Sequence, residues 1–99
     1  MNIEALKNYV IEKIKSQENN TANKIDFFNQ MLKCNLIDKH YLQKACINDF
    51  YDVRFKANSK EETKSIVRDT VLDVCLAFDV CEKTVHNSIY KYSHIKLEF

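Results

Sequence analysis

The chain has 99 residues, 45% of them apolar and 29% charged, with a net charge of +1. That length buries one core and no second, and the balance argues against general disorder. Glycine and proline are both absent, which disfavours hairpin-rich β folds and removes the glycine-rich phosphate loops of P-loop and Rossmann sites. An all-α compact helical bundle of about five helices follows, with loops punctuated by Asn, Asp and Ser.

The first helix is predicted over about Asn2 to Gln17, where Ile3, Leu6, Val10 and Ile14 form one stripe. Glu18-Asn19-Asn20-Thr21 then breaks the pattern as a polar turn. A second helix is predicted from Ala22 to Cys34. Ile25, Phe28 and Leu32 line one side, and Phe27, Met31 and Cys34 line nearly the opposite one. A helix apolar on two faces sits between neighbours or carries an oligomer contact. Asp38 is an N-cap candidate for a third helix, Lys39 to Phe55, expected to bury Leu42, Ala45, Cys46, Phe50 and Val53. Ser59-Lys60-Glu61-Glu62 fits a capping box for a fourth helix reaching Phe78, with Val67, Val71, Val74, Cys75 and Phe78 inward. A fifth helix starts near Glu82 and turns Val85, Ile89 and Tyr92 inward.

The stretch from Val71 to Tyr90 resembles a helix-turn-helix unit. Cys75 is small enough for two helices to cross steeply, and Phe78 and Val80 supply the apolar residues flanking the turn. Val85, Ser88 and Ile89 then form the buried face of the second helix. Asp79 stands in the turn where such families often place glycine, and Asp tolerates the left-handed conformation better than most residues. The run Cys81-Glu82-Lys83-Thr84-Val85-His86-Asn87 resembles the S-E-K-T-V-x-N start of recognition helices in LuxR-type regulators and sigma-factor-like domains, with Cys81 in place of the capping Ser. The resemblance covers residues 71–90 only. From its length the chain is expected to be a single domain, 1–99, in which an N-terminal helical bundle (1–58) precedes a helix-turn-helix unit (59–99).

Were the fifth helix to lie in a major groove, its free face would carry Glu82, Lys83, His86, Asn87, Tyr90 and His94. Asn87 can pair with adenine, and Lys83 and His86 can reach guanine or phosphate. Tyr90 and Lys91 suit phosphate contacts, with Arg68 and Lys64 flanking the backbone from the preceding helix. Residues 82–96 hold Lys83, Lys91 and Lys96 against Glu82, a modest footprint for double-stranded DNA. Such a module needs to dimerise, and Phe27 and Met31 are the favoured interface because aromatic and Met side chains are enriched there. The alternative is a helical protein-protein interaction adaptor that binds no nucleic acid, since crossing helix pairs also arise from ordinary core packing.

Other sites are weaker. Cys75, Cys81 and His86 invite a zinc reading, but no C-x-x-C pair or fourth ligand accompanies them, so neither a metal nor another cofactor is expected. Asp69 and Asp73, one helical turn apart, read as a solvated face rather than an acid–base pair. No nucleophile–base arrangement stands out, and an enzyme is not expected. Leu72 and Leu76 point away from the fourth helix's main stripe, and cover by the N-terminal helices is expected. The start Met1-Asn2-Ile3-Glu4 lacks the features of a signal peptide, no run suits a membrane span, and the four cysteines read as reduced thiols of a cytoplasmic regulator or mobile-element accessory factor.

Overall fold

Helix starts and stops in this chain are made without glycine or proline, and the side chains that replace them are identifiable. The computed structural model describes residues 2–17, 21–60 and 65–97. Within them lie five helices and no strand: α1 (Ile3–Lys15), α2 (Thr21–Lys33), α3 (Lys39–Ser59), α4 (Ile66–Phe78) and α5 (Glu82–Lys91). Asn2 caps α1 by accepting from the Ala5 N–H at 3.2 Å, and Asp38 caps α3 by accepting from His40 and Tyr41 at 2.9 and 3.2 Å. At the other ends, Asn35 (φ 56°) after α2 and Asp79 (φ 53°) after α4 take the left-handed conformation usually given to glycine. In each case a backbone N–H returns across the last turn, Leu36 to Met31 O at 2.9 Å and Val80 to Cys75 O at 3.2 Å. Short polar side chains that tolerate positive φ therefore do the work of the missing glycines.

The capping box expected at Ser59 depends on Glu62, which lies outside the described residues. Ser59 is the last residue of α3, and its hydroxyl donates to Lys56 O at 2.8 Å. The next helix begins only at Ile66, preceded by Ser65, whose side chain makes no capping bond.

The centre of the bundle is α3, which packs against α1, α4 and α5. Its four consecutive residues Ala45, Cys46, Ile47 and Asn48 are all buried, because neighbours cover more than one face there. Leu6, Val10 and Ile14 of α1, Leu42, Cys46 and Ile47 of α3, Val71, Val74 and Phe78 of α4, and Val85 of α5 form one continuous core. Tyr9, Phe50 and Phe78 meet in an aromatic cluster with centroids 5.4–5.8 Å apart, tilted or edge-on as ring quadrupoles favour.

Several expected core positions are exposed instead. Val53 on α3, Val67 on α4 and Tyr92 after α5 are all exposed. Leu72 and Leu76 are not covered by the N-terminal helices: Leu76 is 85% exposed. The α1 helix meets α4 where Val71, Val74 and Phe78 join the core, leaving that other face open. Among the described residues, no helix is long and apolar enough to cross a membrane.

Candidate nucleic-acid interface

The placement of α5 follows from how its inner face is satisfied. Val85 is fully buried among apolar side chains, and Ser88 one turn later is buried but polar. Its hydroxyl donates to Asn48 Oδ1 at 2.8 Å, with Lys44 O a further acceptor at 3.2 Å. Asn48, itself only 2% exposed, donates through Nδ2 to Tyr92 O and Ile95 O, both at 2.9 Å. A buried amide must find partners or cost stability. Asn48 finds them at the C-terminal end of α5, where carbonyls are left without helical donors. The Lys44 ammonium lies 4.6 Å from the Tyr92 ring centroid and adds a contact at the same end.

The angle of α4 is set by a second polar group. Asn58 Nδ2 donates to Thr70 Oγ1 at 3.1 Å and to Asp73 Oδ2 at 3.3 Å, and Arg54 Nε reaches the same carboxylate oxygen at 3.1 Å. Thr70 is fully buried, and its hydroxyl donates back to Ile66 O at 2.6 Å. Asp73 is thus a brace between α3 and α4 rather than part of a solvated acidic face. Asp49 is used likewise: it pairs with Lys13 at 2.9 Å and accepts from the Tyr9 hydroxyl. Burial and the Asp49 carboxylate push the Tyr9 hydroxyl well above its ordinary range.

Between α4 and α5 lie only Asp79, Val80 and Cys81. Asp79 supplies the left-handed turn, and Val80 is half-buried against the core. Cys81 precedes α5 in extended conformation without capping it. Its thiol lies 3.2 Å from the Thr84 hydroxyl, which with nearby backbone N–H groups lowers the thiol pKa. Cys46 is the opposite case, a buried thiol pushed up to about 12 by desolvation and then by Asp49.

With Val85 and Ser88 inward, Lys83, His86, Tyr90 and Lys91 are exposed on the outer side of α5, and Asn87 is half-buried. The His86 and Tyr90 rings stack one turn apart, 5.9 Å between centroids and 8° from parallel. Arg68 is exposed on α4 and borders the same cleft as His86 and Glu82. Lys64 lies outside the described residues. Phe27 is 67% exposed on α2 and Met31 is half-buried, on the far side from the half-buried Ile25, Phe28 and Leu32.

Among the described residues, no three His, Cys, Asp or Glu side chains gather closely enough to hold a metal ion. The residues that sequence reasoning missed are Asn48, Thr70 and Asn58, polar side chains whose partners lie on other helices. No known protein family, characterised protein or solved structure matches the chain.

Proposed function

We propose that the chain binds double-stranded DNA through the outer face of α5, as a helix-turn-helix protein. The observation that carries this reading is the short α4–α5 connection with left-handed Asp79, followed by a helix whose inner face is locked by Val85 and Ser88. Its outer face presents Lys83, His86, Tyr90 and Lys91 to solvent. A recognition helix needs both properties, a rigid seat and long polar side chains directed outward. In this reading Lys83 and Asn87 contact base edges, and His86 reaches guanine or phosphate. Tyr90, Lys91, Arg68 and Lys64 contact the phosphate backbone. The role is that of a small transcriptional regulator or mobile-element accessory factor.

One module with so few cations holds DNA weakly, so two copies act together, joined through Phe27 and Met31. A two-fold pair sets recognition helices about 34–36 Å apart, one turn of the duplex.

Selection from a random duplex library, followed by anisotropy titration at fixed salt, tests the reading. Lys83→Ala and Asn87→Ala should each cost about 1–3 kcal/mol on the selected site. Lys91→Ala should weaken all sequences alike and flatten the salt dependence. An unenriched library, or unchanged binding by Lys83→Ala and Asn87→Ala, refutes it.

The exposed Leu72 and Leu76 on α4 favour a second reading, a helical adaptor that binds another protein there. A folded chain that selects no DNA, with its own partner lost on Leu76→Glu, would establish it.

A further inference from the structure

We propose that the cleft between the first turn of α4 and the start of α5 binds a small zwitterion with an apolar side chain, in chemical terms an apolar α-amino acid. The cleft is open to solvent and has a volume of about 630 Å³, within the range of roughly 300–1,000 Å³ usual for small-molecule sites. Phe55, Val67 and Val71 form its apolar wall, and Arg68, Glu82 and His86 are its charged or ring-nitrogen groups.

The charge arrangement selects the ligand class. Arg68 on α4 and Glu82 on α5 carry opposite charges at one cleft, yet among the described residues neither forms an ion pair. Elsewhere Asp49, Asp52 and Asp73 each take a basic side chain at 2.9–3.1 Å. A guanidinium and a carboxylate that line one cleft without pairing offer partners for the two ends of a zwitterion. Arg68 takes the carboxylate as a fork, and Glu82 takes the ammonium. Ser65 lines the same cleft without capping α4, so the positive end of that helix adds to Arg68 on the carboxylate side. His86, stacked on Tyr90, supplies a ring nitrogen to the same lining. The buried Val71 and the half-buried Phe55 receive the apolar side chain.

A ligand with a single charge fits less well. A simple carboxylate faces Glu82 with nothing to neutralise it, and a simple amine faces Arg68. Arg68 and His86 also figure in the DNA reading, but the ligand site does not rest on it, and its test uses no DNA.

Titration of the full ¹⁵N-labelled chain with L-phenylalanine, 3-phenylpropionate and phenethylamine, followed by NMR, decides the matter. Phenylalanine should give saturable shifts at Val67, Arg68, Val71, Glu82 and His86, and each singly charged probe should bind about tenfold weaker or worse. Arg68→Met should remove the penalty against phenethylamine, and Glu82→Gln the penalty against 3-phenylpropionate. Both side chains are exposed, so the same spectra will display an intact fold. No saturable shift up to about 10 mM phenylalanine, shifts confined to another surface, or equal binding by a singly charged probe would overturn the proposal.

Discussion

Replacing Asn48 by Ala removes one side chain and disturbs both ends of a buried network. Asn48 holds Tyr92 O and Ile95 O at 2.9 Å and accepts from Ser88 at 2.8 Å. Three hydrogen bonds at about 1 kcal/mol net each set the scale at ~3 kcal/mol. Ser88 keeps Lys44 O as an acceptor, which trims the loss, while the vacated volume and any carbonyl left dry add to it. The expected destabilisation is about 2–4 kcal/mol, and for a domain of this size each kcal/mol lowers Tm by ~4–8 °C. Thermal denaturation followed by circular dichroism should therefore show a fall of at least ~8 °C. A double-mutant cycle with Ser88→Ala should return a coupling of about 0.5–1.5 kcal/mol, because the two side chains bond directly. A fall of less than ~4 °C together with zero coupling would mean that water replaces the amide readily, and that Asn48 does not seat α5.

Val85→Asp should cost about 3–5 kcal/mol and melt the C-terminal helices, since it leaves a carboxylate unpaired in the core; an unchanged Tm would put Val85 at the surface. The Cys46 thiol ionises near 9 in the unfolded chain and only at about 12 when folded. The unfolded state therefore loses its proton first as pH rises, and stability falls by ~1.4 kcal/mol per pH unit across that window. Tyr9 acts in the same direction at higher pH. Urea melts at pH 8 and 10.5 should show this alkaline loss, with a smaller loss in Cys46→Ala; equal losses would remove Cys46 as the cause. Sedimentation of the wild type should give a dimer and the Phe27→Glu, Met31→Glu double variant a monomer. A monomeric wild type removes the paired DNA geometry, and a dimer that survives both substitutions moves the interface elsewhere.

The helices were legible because apolar residues recur at three- and four-residue steps, and the stripes Leu6–Val10–Ile14 and Val71–Val74–Phe78 are buried as that spacing requires. The left-handed turn at Asp79 was legible too, since few other residues in a chain without glycine can occupy it. The outward set on α5 follows from the phase fixed by Val85 and Ser88. Periodicity gives the phase of a helix but not which of its faces the neighbours cover, and so it misplaced Val53, Val67 and Leu76. Nor did it reveal Asn48, whose backbone partners lie 44 and 47 residues along the chain. An Asn in a helix carries the same local signal whether it faces water or two distant carbonyls.

The position of α2 has a consequence for how the native molecule opens. It contains no buried residue, and among the described helices it packs against α1 alone. In a single copy its detachment would expose only the half-buried Ile25, Phe28 and Leu32 face and the patch of α1 beneath it. The α3, α4 and α5 contacts would stay closed, so α2 forms a separate unit of opening with a smaller free-energy gap than the rest. Its amides should exchange with deuterium before those of α3, and limited proteolysis should cut within α2 first. The shortened fragments would still hold together around Ile47 and Val74.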